Sequence, residues 1–302
     1  MPTSVTRSRT RTRSKSPRRA STGSRKQKKS VSKTRAKVGL SRKQYSPTIV
    51  TVDYEVPKGR SSFTVKVVRD DLLPGGTKQR AMVPVLAKLP ERELVLPSAN
   101  SGYAQVALAV AATATNKIGT AFIADRARET AATKLARKFG GNIKPVRPGY
   151  MTVRKKRAQD YTAQQNRKRP GSTRLFALGA DEPIFEETLL KELKLALPSG
   201  FRAPKRVWVA VGSGVLMRVL GQLWPNTMLL GVEVGMRQRA AEILGTQRAR
   251  KSKIYVEEEL SFDKETKDLP PWPSVANYDA KLWKYIKKYG QHGDLVWNVA
   301  TI

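Results

Sequence analysis

From residue 45 onward, apolar and polar positions follow the periods of strands and helices. Two β-branched runs at residues 48–56 and 62–68 predict strands, and Pro57-Lys58-Gly59 between them predicts a turn. Farther along, apolar runs of strand length alternate with segments of helical period. This alternation predicts an α/β fold in which helices cover both faces of a parallel sheet.

The middle of the chain predicts a compact βαβαβ unit at residues 93–146. Its elements are a strand at 93–97, a helix at 103–116, a strand at 120–123, a helix at 126–139 and a strand at 142–146. Asp125 is the predicted N-cap of the second helix, and Gly140-Gly141 is its predicted stop.

The same alternation resumes near residue 184. Helices are predicted at 184–197, 215–223, 237–244 and 279–288, and strands at 206–211, 228–234, 253–257 and 295–299. A leucine stripe in the first of these helices indicates a face that packs against the core. The proline-rich stretch at 264–276 predicts a loop, and the run that ends at Asp279 is a candidate to face a site, with no role assigned.

The charge is extreme, with a formal net charge of +34, and it is unevenly distributed. Residues 1–44 carry sixteen Lys or Arg and no Asp or Glu. Such a segment buries too little apolar surface to offset its ordering entropy, so we predict a disordered basic tail before a folded domain at 45–302. Its expected role is phosphate contact without sequence readout. A solubility tail or a nuclear import signal is the alternative.

A second basic cluster consists of Arg154-Lys155-Lys156-Arg157 and Arg167-Lys168-Arg169. We interpret it as an exposed loop. It is either a solvated surface insertion or a second phosphate-contacting patch.

Composition narrows the chemistry. No apolar run approaches the ~18 residues of a membrane span, and no secretory signal is recognisable. The chain has no cysteine and a single histidine, His292, so no metal site, disulfide or histidine triad is predicted. The expected location is intracellular, nuclear or virion-associated, not secreted.

One corner stands out as a candidate for covalent chemistry. Arg69-Asp70-Asp71 is followed by Gly75-Gly76-Thr77-Lys78, where the glycines allow a tight turn and the lysine opens a helical segment. A lysine amine is a nucleophile toward carbonyls when burial or a nearby cation lowers its pKa. The alternative is a simple βα turn with a solvated lysine.

Two loops are candidates for anion binding. The small-residue loop Ser98-Ala99-Asn100-Ser101-Gly102 and the turn Gly212-Ser213-Gly214 each lie between a predicted strand and a predicted helix. A helix N-terminus there offers backbone amides to a phosphate or carboxylate.

In this order, the three stretches resemble those of pyridoxal-phosphate-dependent enzymes of fold type II. The similarity is to the aminocyclopropane-carboxylate deaminase and cysteine desulfhydrase branch and its virus- and phage-encoded members. The resemblance implies a two-lobed parallel-sheet fold of the tryptophan-synthase-β-like type. The small lobe would span about residues 93–146, and the large lobe the remainder of 45–302.

The resemblance also implies roles for individual residues. Lys78 would form the Schiff base with pyridoxal phosphate and move protons at the substrate α-carbon, and Tyr103 would assist in acid–base chemistry. The other implied contacts are Gly212, Ser213 and Gly214 to the cofactor phosphate, Asn100 or Ser101 to the ring hydroxyl, and the loop around Ser98 to a substrate carboxylate.

The resemblance implies a pyridoxal-phosphate-dependent lyase or deaminase that acts on an amino acid, and the charge of residues 1–44 adds a cationic tail. The alternative is a catalytically inactive, nucleic-acid-associated structural or virion protein that retains the enzyme fold. The expected partners are nucleic acid through residues 1–44, a small amino-acid substrate and no membrane span. A second copy of the chain, in a homodimer, is left open.

Overall fold

The computed structural model describes residues 41–235, 240–245, 251–256 and 261–302. Its strands are β1 (Thr51–Lys58), β2 (Ser61–Arg69), β3 (Glu93–Pro97), β4 (Ile118–Ala124), β5 (Asn142–Val146), β6 (Thr173–Leu175), β7 (Arg206–Val211), β8 (Met228–Glu233), β9 (Lys253–Val256) and β10 (Leu295–Asn298). Its helices are α1 (Arg42–Tyr45), α2 (Thr77–Lys88), α3 (Ala104–Ala114), α4 (Ala131–Lys138), α5 (Met151–Lys168), α6 (Pro183–Ala196), α7 (Val215–Leu223), α8 (Ala240–Leu244) and α9 (Leu282–Tyr289).

Some sequence predictions lie outside the described residues. They are the first forty residues of the basic tail, positions 237–239 of a helix and position 257 of a strand. Residues 42–45, most of which the sequence analysis assigned to the tail, form α1, and Arg42 pairs with Glu192 at 3.2 Å.

The larger sheet has the strand order β1-β2-β10-β7-β8-β9. Among the described strand pairs of this sheet, only the β1–β2 hairpin is antiparallel, and β10 lies parallel to both β2 and β7. The carboxyl ends of β2, β10 and β7 therefore lie at one edge of the sheet. The segments that follow these three strands meet there, although they are far apart in sequence.

The smaller sheet has the order β5-β4-β3-β6, and all of its strands are parallel. Its first three strands are those of the predicted βαβαβ unit. The fourth, β6, comes from residues beyond that unit. The carboxyl end of β3 leads directly into the small-residue loop at Ser98.

The prediction of a loop for the second basic cluster was wrong, because all of its residues except Arg169 lie on helix α5. Ala158 is fully buried, and Val153 and Tyr161 pack beside it against Phe122. Ala158 and Tyr161 are three positions apart, as on one face of a helix, but the charged residues around them obscured this period.

The predicted start of the second helix was also wrong. Helix α4 begins at Ala131, and the Thr130 hydroxyl caps it by accepting the backbone N–H of Thr133. Asp125 pairs instead with Arg147. Thr130 and Asp125 were both possible N-caps, since the side chains of threonine and aspartate can each accept a hydrogen bond from a backbone N–H of the first helical turn.

A buried ion pair fixes the corner between β2 and α2. Arg80 donates to Asp70 at 2.6 Å, and the two side chains are 2% and 1% exposed. Asp70 also accepts the Thr77 hydroxyl at 2.8 Å, and Thr77 in turn accepts the indole N–H of Trp297 at 3.0 Å. This network joins β2, α2 and β10 at the edge where the strands end.

We expect Asp70→Ala to destabilise the fold by about 3–5 kcal/mol, because it leaves Arg80 as a buried charge without its partner. Equilibrium unfolding in urea measures this loss. The matched control is Asp53→Ala, which breaks the exposed pair with Lys66 and should cost within about 1 kcal/mol. Equal losses in the two variants would contradict this account of the corner.

Candidate active site

Lys78 lies in the first turn of α2, separated from the paired glycines by Thr77. Gly76 has a φ of +63°, and a Cβ there would collide with the carbonyl oxygen of Val299. The backbone N–H of Thr77 donates to that same carbonyl at 2.9 Å. The glycines therefore bring the corner against the end of β10, which fixes where Lys78 starts.

The Lys78 amine is held in a partly buried position. Its Nζ donates to the carbonyl of Gly179 at 2.9 Å and lies 5.5 Å from the centre of the Phe185 ring. Desolvation lowers the pKa of Lys78 to about 8, and Arg218 adds to this while Asp181 opposes it. An amine with this pKa is partly neutral near physiological pH, as a nucleophile requires.

The glycine turn after β7 lies beside the lysine. A Cβ on Gly179, the residue that accepts from Lys78, would lie 3.0 Å from the Ser213 hydroxyl oxygen. Gly214 has a φ of +80° and precedes the first residue of α7. Val215 and Met217 of that helix are buried in the core. The turn thus sits at a helix N-terminus, where an anion is favoured.

The same turn touches Tyr278, a residue to which the sequence analysis assigned no role. A Cβ on Gly212 would lie 2.9 Å from the Tyr278 hydroxyl, and the Gly212 N–H donates to that oxygen. Burial raises the pKa of Tyr278. Tyr278 therefore keeps its proton at neutral pH. Its hydroxyl group packs against Gly212 of the glycine turn.

The next residue in the sequence after Tyr278 is Asp279, whose side chain is buried, with 5% of the residue exposed. The backbone amides of Val299 and Ala300 face its carboxyl group, but no side chain of the described residues hydrogen-bonds to it. Burial raises its pKa well above the ordinary value, with a smaller contribution from Asp71. A buried carboxyl without a side-chain partner is costly, and such groups cluster at functional sites.

Tyr103 lies between the lysine corner and Asp279. Its ring carbon Cε1 would lie 3.3 Å from a Cβ on Gly76, and its hydroxyl donates to the carbonyl of Pro74 at 2.9 Å. Burial, followed by the nearby Asp279 and Asp71, raises the pKa of Tyr103 to about 12. Its hydroxyl therefore remains a proton donor at neutral pH.

The side chains of the small-residue loop are engaged with protein groups. Asn100 donates to the Ala124 carbonyl at 2.7 Å and accepts the Ala124 N–H at 3.0 Å. Ser101 donates to Asp263 at 2.6 Å, and the buried Ser98 hydroxyl donates to the Ala99 carbonyl at 3.1 Å. Their assignment to a cofactor ring or a substrate stays a prediction.

Arg154 reaches this loop from helix α5. Its guanidinium donates to the Ser98 carbonyl, and desolvation lowers its pKa. The first residue of the second basic cluster thus points inward, unlike the exposed residues Lys155 and Arg157 that follow it.

Two cavities lie elsewhere on the protein, and none of the residues that form this site lines either of them. One cavity of about 240 Å³ lies near Trp224 and Leu229, and another of about 520 Å³ lies near Phe122 and Lys144. Within the described ranges, no helix combines the length and apolar character that crossing a membrane requires. The same residues contain no cluster of metal-binding side chains.

The architecture is that of pyridoxal-phosphate-dependent enzymes of fold type II, which confirms the expected two-lobed parallel-sheet fold. An aminocyclopropane-carboxylate (ACC) deaminase homologue is 13% identical with a TM-score of 0.66, over 83% of this chain and 89% of that one. A threonine deaminase from T.th. is 19% identical with a TM-score of 0.54, over 79% and 87%. O-ureido-L-serine synthase is 17% identical with a TM-score of 0.56, over 83% and 89%. No protein-family model and no curated protein matches the sequence.

We expect Asp279→Asn to stabilise the free protein increasingly as the pH rises from about 4 to 7. A carboxyl whose pKa is raised by folding contributes stability at low pH, and this contribution is lost above the unfolded pKa of about 3.9. Asparagine does not ionise and avoids the loss. Urea unfolding of both proteins at several pH values measures the difference.

The matched control for this experiment is Asp268→Asn, which removes an exposed carboxylate that pairs with Lys287. Its effect should vary little over the same pH range. An Asp279→Asn protein that is less stable than the wild type throughout the range would show that the ionised carboxylate is well compensated.

Proposed function

We propose that the chain binds pyridoxal phosphate at Lys78 and acts on a small amino acid as a lyase or deaminase. The observation that carries this proposal is the shared location of three groups. A lysine amine with a lowered pKa, a buried carboxyl at Asp279 and a glycine turn at 212–214 all lie where β2, β10 and β7 end. Ligands of open parallel sheets bind at this edge.

The residues fit the cofactor in three places. Lys78 would bind its aldehyde carbon, and the turn Gly212-Ser213-Gly214 at the start of α7 would bind its phosphate. Asp279 would face its ring nitrogen, because an aspartate is a suitable partner for a pyridinium. Asn100 and Ser101 fit the ring hydroxyl less well, because their side chains already have protein partners.

Bound pyridoxal phosphate supplies an electron sink that stabilises negative charge at the substrate α-carbon. Lys78, with a pKa of about 8, would take or return the α-proton. Tyr103 would act as a hydrogen-bond donor or acid, because its hydroxyl holds its proton up to a pKa of about 12. The loop around Ser98 would bind the substrate carboxylate.

We also propose that the basic tail contacts nucleic acid. This rests on its sixteen positive charges without a carboxylate, which favour phosphate contact and counterion release. It would place the protein in a nuclear or virion setting.

A second candidate function is a scaffold that keeps the fold without catalysis. Its supporting observation is that Lys78 already donates to Gly179, and Asn100 already holds Ala124 with both ends of its amide. In that case, nucleic-acid association would be the activity of the chain.

We expect Lys78 to capture pyridoxal phosphate with a rate that rises with pH and levels off above about pH 8. The neutral amine is the reactive form, and its share follows this pKa. Borohydride reduction followed by peptide mapping measures the amount fixed on Lys78 at each pH. In a separate sample that is not reduced, the protein with bound pyridoxal phosphate should release ammonia or a 2-oxo acid from an added amino acid.

Two variants serve as controls for the capture experiment. Lys78→Ala should abolish both capture and turnover while nucleic-acid binding persists. Lys88→Ala changes an exposed lysine on the same helix and should leave capture unchanged. Capture spread over surface lysines, with no preference for Lys78, would favour the scaffold function.

Deleting residues 1–40 should remove most nucleic-acid binding while leaving capture at Lys78 intact. The deletion keeps Arg42 and its pair with Glu192. It removes fourteen Lys or Arg, so the slope of log affinity against log salt should become shallower by up to about 10, at ~0.7 per single-strand phosphate contact. An unchanged slope, measured by fluorescence anisotropy, would rule out the tail as the main contact.

A further inference from the structure

Helix α5 packs against the smaller sheet and carries a set of cations on its solvent-exposed side. Its inner face is anchored by Ala158, which is fully buried, and by Val153 and Tyr161. That anchoring fixes the rotation of the helix, so its exposed positions form a defined surface. The cations among those positions are Lys155, Lys156, Arg157, Arg167 and Lys168.

A surface cavity adjoins this helix. It has a volume of about 520 Å³, and its lining includes Lys144, Arg147 and Arg157, with Phe122 also contributing. Lys144 lies 4.8 Å from the centre of the Tyr161 ring, which belongs to α5. The cations of β5 and the segment after it therefore lie next to those of α5 and extend the same surface.

Few carboxylates neutralise these charges. Residues 144–169 contain nine Lys or Arg and one acidic residue, Asp160, which pairs with Lys156 at 2.9 Å. Asp125 pairs with Arg147. Lys155, Arg157, Arg167 and Lys168 have no carboxylate partner among the described residues, so the surface keeps a strong positive potential.

We propose that this surface, formed by α5 and the adjoining cavity, binds the phosphate backbone of nucleic acid independently of the N-terminal tail. We call it the α5 surface. The proposal requires no cofactor or catalysis, so it stands or falls separately from the function proposed for Lys78.

The shape and chemistry of the α5 surface favour nucleic acid over a lipid surface. Helix α5 is about 27 Å long at 1.5 Å per residue, which spans several phosphates of a strand. No large apolar side chain is exposed between Met151 and Lys168, whereas helices that lie in membrane interfaces insert such residues. The exposed cations contact phosphates without reading bases, so binding would be independent of sequence.

The test compares two full-length variants with equal loss of charge. The first carries K155Q, R157Q, R167Q and K168Q on the α5 surface. The matched control carries K191Q, K194Q, R202Q and K205Q, four exposed cations on or after α6. The probe is a fluorescein-labelled oligouridylate that is long enough to contact both the tail and the α5 surface. Protein is added to this probe at several salt concentrations, and fluorescence anisotropy reports binding.

We expect the salt slope of the α5 variant to become shallower by about 3, because each single-strand phosphate that is no longer neutralised changes the slope by ~0.7. The slope of the control should stay within about 0.7 of the wild-type slope. Equal changes in both variants would show a bulk charge effect and overturn the proposal. No change in either would assign all binding to the tail and would also overturn it.

Two further measurements keep the test decisive. Vesicles of phosphatidylserine and phosphatidylcholine should not distinguish the α5 variant from the control. If the variant loses vesicle binding and keeps RNA binding, the surface is lipid-directed and the proposal fails. If circular dichroism shows that the fourfold variant does not fold, the pair K155Q/R157Q against K191Q/K194Q should show half the slope change.

Discussion

The parallel placement of β10 between β2 and β7 is the constraint on which the candidate site depends. Parallel neighbours end at the same edge, so one strand near the C-terminus brings the lysine corner next to the glycine turn. The backbone bond from Thr77 to Val299 and the indole bond from Trp297 to Thr77 join this strand to α2. The buried Asp70–Arg80 pair then fixes the direction in which α2 leaves the sheet.

The electrostatics of the site follow from this packing. Desolvation is the largest influence on Lys78, Tyr103 and Asp279, and in each case it favours the uncharged form. An uncharged amine can attack a carbonyl, and an uncharged phenol can donate a proton. Because burial disfavours the ionised form of Asp279, a cationic partner would stabilise that form strongly. The fold therefore makes the charged forms of these side chains unfavourable. A bound ligand with charges of the opposite sign would reduce this cost.

Much of this was predictable from sequence because it depends on local pattern. The β-branched runs, the alternation of strands with helices and the lysine after Gly75-Gly76 all survive in the structure. The role of the glycines did not follow, because Gly76 faces the backbone of Val299, more than two hundred positions away in sequence. The run that ends at Asp279 was a candidate to face a site, but the role of Asp279 could not be assigned, since its surroundings depend on residues 299 and 300. Helix α5 was missed because its charged residues hid the few buried positions that orient it.

The most direct test of this account is a crystal structure of the full chain after soaking with pyridoxal phosphate. We predict continuous electron density from the Lys78 Nζ to the cofactor, with the bond to Gly179 broken. We also predict that the phosphate lies at Gly212-Ser213-Gly214 and that the ring nitrogen faces Asp279. A structure at high cofactor occupancy in which Lys78 still donates to Gly179 and the cofactor lies elsewhere would contradict the account.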